Sequence, residues 1–249
     1  MTPHGRCVLR LADANLVLAQ RLGEWVGHAP ALEEDLGLAN VSLDLLGQAR
    51  LLLTHAGMLE GRGRGEDELA YLREESEYLN LTLVEQPNGD FGDTIVRQCL
   101  FDAWQLGLYE ALAQSQDAML AAVAGKGIGE AAYHLRFSSG WLIRLGDGTP
   151  ESRARVERSL AELWPYTGEL FADDEVDREI AAAGIAPLPS GLEKDWSARM
   201  DETLSRATLA RPGPSKFSWY GKQGRHSEHL GFLLAEMQSL HRAHPGATW

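Results

Sequence analysis

The sequence is poor in cysteine, in positive charge and in long apolar runs, and each shortage argues against a class of protein. Its two cysteines, Cys7 and Cys99, form no Cys-x-x-Cys pair, so neither a zinc site nor a disulfide framework is indicated, and a reducing compartment is expected. The formal net charge of −13 argues against nonspecific nucleic-acid binding, which requires a basic surface. No run of 18 apolar residues is present, and residues 1–5 lack the apolar character of a signal peptide. We therefore expect a cytoplasmic protein that does not span a membrane.

Helical periodicity is what the sequence does contain. Hydrophobic residues make up 44% of the 249 residues, enough for a substantial core, and we find no convincing strand alternation. The predicted helices lie at about 8–27, 31–60, 66–84, 91–115, 118–145, 151–172, 174–183, 190–208 and 226–242. This pattern predicts an all-α fold with a long-helix bundle over about 8–172. A C-terminal helical extension over about 173–249 completes a single domain, residues 1–249.

The strongest helical pattern lies between residues 31 and 60. Leu36, Leu43 and Leu53 fall near one stripe of this helix, joined by Ala39 and Leu46, as in an amphipathic helix. The next residues, 61–65, alternate glycine and arginine and predict a loop. Later in the chain, Thr149 precedes Pro150 and is predicted to cap the helix that follows.

The long helices are of the kind that can hold a di-iron site. In a four-helix bundle such a site takes a Glu from each of two helices and a Glu-x-x-His pair from each of the other two. Four carboxylates neutralise two ferrous ions in a low-dielectric core, and two imidazoles complete the coordination. The i, i+3 spacing places both members of a pair on one helix face.

The chain lacks most of this ligand set. Where one Glu-x-x-His pair is needed, it has Leu45, which cannot bind a metal, and Gln48, a weak neutral oxygen donor. His134 is a plausible ligand, but the residue three positions before it is Ala131. The positions concerned, with one carboxylate and one imidazole among them, are Asn15, Leu45, Gln48, Asp102, Ala131 and His134.

Five segments of the chain resemble the ferritin-like subunits of the bacterial phenylacetyl-CoA epoxidase, a multicomponent ring-epoxidising monooxygenase. The resemblance extends over nearly the whole chain and is specific to the non-catalytic (PaaC-type) subunits of that enzyme. The segments are LGEWVGHAP at 22–30, LDLLGQAR at 43–50, LVEQPNGDF at 83–91, YHLRFS at 133–138 and HSEHLG at 226–231.

The resemblance also explains the missing ligands. The catalytic relative carries Glu-Leu-Gly-His where this chain reads Leu45-Leu46-Gly47-Gln48. By the same resemblance, the first-helix Glu of that relative falls on Asn15, and its second Glu-x-x-His pair falls on Ala131 and His134. The family's metal ligands therefore do not carry over. No catalytic, cofactor-binding or metal-binding residue is expected in this chain.

The resemblance implies a structural subunit for aerobic phenylacetate catabolism. Such a subunit pairs with a homologous di-iron catalytic subunit and stabilises it. The partner inserts one oxygen atom from O2 into the ring of phenylacetyl-CoA. Electrons come from NADPH through a separate reductase that carries FAD and an iron–sulfur cluster.

Other interpretations of the same residues remain open. Asn15, Gln48, Asp102 and His134 are expected to form a buried cluster of mutually hydrogen-bonded polar groups, although a single weakly held metal is an alternative. A catalytic di-iron oxygenase with displaced ligands is a second hypothesis. A stand-alone acyl-CoA-binding helical module is a third. The pool of displaced ligands comprises Glu24, Asp44, Glu130, His134 and Glu228.

Overall fold

The computed structural model describes residues 1–215 and 217–247, so Lys216, Thr248 and Trp249 lie outside the described residues. Within the described part, all regular structure is helical apart from an isolated bridge between Tyr220 and Arg225. The predicted all-α class is confirmed. The chain divides into two compact units, one comprising Met1–Pro87 with Tyr220–Trp249 and the other Asn88–Trp219. The prediction of a single domain over residues 1–249 stays a prediction.

The described residues contain ten α-helices. They are α1 (Pro3–Gly23), α2 (Leu32–Glu60), α3 (Glu66–Tyr71), α4 (Phe91–Leu112), α5 (Ala118–Gly146), α6 (Pro150–Leu163), α7 (Glu175–Ala182), α8 (Glu193–Arg206), α9 (Glu228–Met237) and α10 (Ser239–Ala243). Residues 164–171 and 189–192, all but Pro189 predicted to be helical, form 3-10 helices before α7 and α8. The other predicted helices agree with the structure to within five residues at each end, except in the two regions corrected below.

The first unit is built on the hairpin of α1 and α2. The two helices run antiparallel, because the Ser42 hydroxyl donates to the Ala19 carbonyl at 2.8 Å while the rings of His4 and His55 meet near the other end. Helix α1 begins five residues before the predicted start. Thr2 caps it by accepting a hydrogen bond from the Gly5 amide at 3.1 Å, and proline at the first position is already suited to a helix.

The second unit is built on α4 and α5, with α6 and α8 packed against them. Helices α4 and α5 begin at aspartate caps, Asp90 and Asp117. The predicted cap of α6 is confirmed, since the Thr149 hydroxyl accepts a hydrogen bond from the Ser152 amide at 3.1 Å. Helix α8 is fixed to α4 by the Trp196 indole, which donates to the Leu100 carbonyl at 3.0 Å.

The predicted helix over 66–84 is wrong beyond Tyr71. The Arg73 guanidinium donates to the carbonyls of Leu69 and Glu77, at 2.5 and 2.8 Å. These side-chain bonds satisfy backbone groups that a continuing helix would use, so the chain turns instead. Residues 72–84, all of them described, contain only a short 3-10 helix at Glu75–Glu77.

The predicted helix over 226–242 is also wrong, because it is two helices, α9 and α10, that meet at Gln238. The Gln238 side chain is buried and donates to the Arg73 carbonyl and the Tyr78 hydroxyl, both at 3.0 Å. Just before α9, the chain lies directly on residues 76–82. A side chain at Gly221 or Gly224 would place its Cβ 2.3 or 2.4 Å from the carbonyl oxygens of Asn80 or Ser76.

The predicted apolar stripe of α2 does not form its buried side. Leu36 and Leu43 are exposed, although Leu53 is buried. The buried side carries Leu38, Val41, Leu45, Ala49, Leu52 and Ala56. Both sides of this helix are apolar, so periodicity alone selected the wrong one.

Helix α2 is also long and apolar enough, by length and composition alone, to cross a membrane, the only described helix of which this is true. Core helices of soluble bundles pass the same test, and one side of α2 packs along α1. The expectation that the chain does not span a membrane therefore stays a prediction.

Candidate functional site

The six positions considered as metal ligands are all buried, three in each unit. In the first unit, Asn15 lies on α1, and Leu45 and Gln48 lie on α2. In the second unit, Asp102 lies on α4, and Ala131 and His134 lie on α5. Leu45, Asp102, Ala131 and His134 are fully inaccessible to solvent. All six positions therefore lie on buried sides of their helices.

In the first unit, two of the three positions form an amide pair. The Asn15 Nδ2 donates to Gln48 Oε1 at 3.1 Å across the two helices. Leu45 lies one turn before Gln48 on the same side of α2 and supplies only methyl groups. These three positions are neutral and hold no carboxylate.

In the second unit, the one carboxylate of the set is held by polar neighbours. Asp102 Oδ1 accepts a hydrogen bond from Gln98 Nε2, and Asp102 Oδ2 accepts one from the Ser138 hydroxyl, each at 2.7 Å. Ser138 lies one turn after His134 on α5. Both carboxylate oxygens are thus engaged within the protein.

The environment of Asp102 shifts its proton affinity. Burial disfavours the charged carboxylate and raises the pKa of Asp102 to about 6. Electrostatic attraction to His134 and the hydrogen bonds from Ser138 and Gln98 lower the pKa of Asp102 but are outweighed by burial. Burial also raises the pKa of the neighbouring Cys99 thiol, so this cysteine stays protonated and unreactive near neutral pH.

A di-iron centre does not fit these residues. Leu45 and Ala131 have no donor atom, and the amides of Asn15 and Gln48 are bonded to each other. The residues proposed as displaced ligands do not replace them. Glu24 pairs with Arg21 at 2.9 Å. In the described part of the chain, no residue of that pool belongs to a group of three potential ligands close enough to hold a metal ion.

Comparisons with known proteins identify the family of the chain. The family model of the phenylacetic acid catabolic proteins (PaaA/PaaC) matches residues 1–249, the whole chain. The chain belongs to this family. It is 52% identical over 241 residues to the 1,2-phenylacetyl-CoA epoxidase subunit designated C of Escherichia coli (strain K12), with 97% of each chain covered. The resemblance inferred from five short segments is confirmed, as is the ferritin-like, all-α fold class.

This PaaA/PaaC family member contains a buried ion pair that the sequence did not predict. Arg73 donates to Asp13 through both of its terminal nitrogens, Nη1 and Nη2, with Arg73 Nη1 at 2.9 Å from Asp13 Oδ2. The exposed fractions of the two side chains are 1% and 0%. The same carboxylate accepts from the Leu79 amide at 2.8 Å. No sequence signal links two residues 60 positions apart.

A second buried pair involves His226, the first residue of the HSEHLG segment. His226 Nδ1 lies 2.9 Å from Glu85 Oε2, and Glu85 also accepts from the Asn80 side chain and the Ser227 amide. Burial alone would lower the pKa of His226, but the hydrogen bond and charge of Glu85 outweigh it and raise that pKa. His226 therefore anchors the C-terminal segment within the first unit.

Substitution of Asp102 tests whether its buried carboxylate lowers the free energy of unfolding of this family member. Its pKa is about 6 in the folded protein against an ordinary 3.8, so between these values the folded state holds a proton that the unfolded state has lost. Stability contributed by this group therefore falls as pH rises through that window. Asp102→Asn should increase the free energy of unfolding at pH 8 by up to about 3 kcal/mol.

The new amide can keep both hydrogen bonds of Asp102, because the Gln98 side chain can rotate to present Oε1, a buried atom without a hydrogen-bond partner among the described residues. Urea denaturation at pH 5 and pH 8 measures the effect, and the gain should fall to about half at pH 5. Asp195→Asn, at an exposed position of α8, is the control. An equal change in both variants, or a loss of stability for Asp102→Asn at pH 8, would contradict the assignment.

Proposed function

We propose that this chain is a non-catalytic, structural subunit of a phenylacetyl-CoA epoxidase in aerobic phenylacetate catabolism. It pairs with a homologous di-iron subunit and stabilises it. One observation carries the proposal. A chain 52% identical to one of the subunits of such an epoxidase has Leu45 and Ala131, with no donor atoms, at positions where a di-iron site needs carboxylates.

The physical reason is the cost of an empty metal site. Four carboxylates held together without metal repel one another and raise each other's pKa values. Once a homologous subunit supplies the iron, this chain can replace carboxylates by apolar groups and amides, which stabilise its metal-free helices. Two related bundles can pack through similar surfaces, as in a two-fold dimer whose halves have diverged.

The chemistry belongs to the partner in this proposal. The di-iron subunit inserts one oxygen atom from O2 into the aromatic ring of phenylacetyl-CoA. NADPH supplies electrons through a reductase with FAD and an iron–sulfur cluster. This chain holds no cofactor, is cytoplasmic, and binds neither nucleic acid nor a membrane.

Reconstitution tests the proposal directly. The chain and the di-iron subunit from the same organism are expressed separately and together. Iron is then measured in each, and NADPH-dependent epoxidation of phenylacetyl-CoA is followed with the reductase present. We expect the two subunits to co-purify, iron to stay with the partner, and epoxidation to fall at least tenfold when this chain is left out.

Two outcomes would overturn the proposal. Two iron atoms bound by the isolated chain after anaerobic loading with ferrous ion would favour the catalytic hypothesis with displaced ligands. Tight binding of phenylacetyl-CoA by the isolated chain, together with full partner activity in its absence, would favour the acyl-CoA-binding module.

A further inference from the structure

Helix α2 has an unusual solvent side. Leu32, Leu36 and Leu43 are 71%, 56% and 64% exposed, and Ala39 and Leu46 on the same side of the helix are partly buried. At 100° per residue these five positions fall within an arc of about 80°. They form one apolar strip, called the α2 leucine face below. The residues that pack towards α1 lie on the opposite side of the helix.

The exposed apolar residues of the α2 leucine face are contiguous. Single exposed leucines are normal, but a contiguous exposed apolar strip marks an interaction surface. The strip runs from Leu32 to Leu46, a length of about 22 Å, and a width of about 10 Å gives a face of roughly 220 Å². This is about a quarter of what each partner contributes to an interface of standard size, so the face is one part of a larger contact.

A small cavity adjoins this face. It has a volume of about 90 Å³, and its lining combines apolar and charged residues. Leu16, Leu46 and Leu53 are joined there by Asp67 and by Arg50 and Glu66, which pair at 2.7 Å. A cavity beside an apolar strip can receive an anchoring side chain from a partner protein.

The charges beside the face indicate which partner fits. Glu33 and Asp44 lie on one edge of the strip, and no Lys or Arg lies on α2 before Arg50. Helices that lie on anionic membranes have Lys and Arg along this boundary, so a lipid surface is disfavoured. A second copy of this chain is disfavoured too, since antiparallel pairing would bring the acidic edges together and parallel pairing the acidic first turns.

We infer that the α2 leucine face binds an apolar helix, edged by Lys or Arg, of the homologous di-iron subunit. This inference rests on the proposed function, because that function supplies the partner. The acidic edge then meets a basic edge, and the apolar strips exclude water between the two helices.

The test uses the full chain with Leu36→Glu and Leu43→Glu combined. Glutamate is a good helix former and both positions face solvent, so the melting temperature of the isolated variant should be unchanged within a few degrees. Phe232→Glu, at a 72% exposed position of α9 in the same unit, is the matched control. Calorimetry with the purified di-iron subunit should show a Kd raised at least 100-fold for the double variant and less than threefold for the control.

The outcomes separate the inference from the function on which it rests. If the unaltered chain does not bind the di-iron subunit, the proposed function fails. If it binds and the double variant binds equally well, or Phe232→Glu weakens binding as much, only the location on α2 fails. If the unaltered chain sediments as a dimer and the double variant as a monomer, the face binds a second copy of this chain. If the unaltered chain co-sediments with phosphatidylglycerol vesicles, the face binds a membrane.

A charge variant supplies a second, independent readout. Glu33→Lys at the acidic edge should slow association with the di-iron subunit about threefold or more in low salt, and the difference should shrink in 0.5 M salt. Faster association of this variant would contradict a basic partner surface.

Discussion

Leu45→Glu is expected to lower the free energy of unfolding by about 3–5 kcal/mol at pH 7 in the presence of a chelator. The Leu45 side chain is completely buried, and its neighbour Gln48 is bonded to Asn15. A carboxylate placed there is desolvated without a metal or a cation to compensate for its charge. Urea denaturation and thermal melting measure the loss.

The pH dependence and a control make this expectation specific. Burial should raise the pKa of the new carboxyl group, so part of the lost stability should return at low pH, where that group is neutral. Leu43→Glu lies two residues away on the exposed side of α2 and should change stability by less than about 0.5 kcal/mol. The expectation is contradicted if Leu45→Glu melts at a higher temperature than the unaltered chain without added metal. A buried carboxylate at this position would then not destabilise the fold.

Asp13→Asn should cost a similar amount, about 3–5 kcal/mol, because it leaves the buried Arg73 guanidinium without a counter-ion. Asp13 accepts from Arg73 and from the Leu79 amide, and both members of the ion pair are almost inaccessible to solvent. Burial is the largest single influence on the pKa of Arg73 and lowers it, but attraction to Asp13 and the hydrogen bond with it, together with Tyr78 and Glu77, raise that pKa overall. Arg73 therefore stays charged, and denaturation at pH 7 measures the loss.

An exposed ion pair is the control for Asp13→Asn. Glu66→Gln breaks the pair with Arg50 on the surface of the same unit and should cost less than about 1 kcal/mol. The double variant Asp13→Leu with Arg73→Met should be more stable than Asp13→Asn, because it leaves no buried charge. If Asp13→Asn and Glu66→Gln lower the free energy of unfolding equally, the buried pair contributes no more stability than a surface pair.

The long helices were predictable because their signals are local. Predicted helices at 31–60, 91–115 and 118–145 correspond closely to α2, α4 and α5, and Thr149 caps α6 as expected. Helical periodicity and capping depend on residues within a few positions of one another. The positions of Leu45, Gln48 and His134 followed from the Glu-x-x-His pattern and the family resemblance, because the periodicity of α2 had selected its other side.

The failures involve residues far apart in sequence. The end of α3 depends on Arg73, whose partner Asp13 lies 60 positions away, and the division between α9 and α10 depends on Gln238 reaching Arg73 and Tyr78. Leucines on both sides of α2 satisfy the same periodicity. Only the packing of α1 against one side shows that Leu36 and Leu43 face solvent.

The amino-acid sequence by itself determined the all-α class, the family, and the absence of metal donors at Leu45 and Ala131, because residue types and short-range spacing suffice for these. Tertiary structure decided which buried charges are paired, why the pKa of Asp102 rises, and which side of α2 remains open to a partner. Desolvation and long-range pairing depend on what surrounds a side chain in space, and neighbours along the chain do not specify those surroundings.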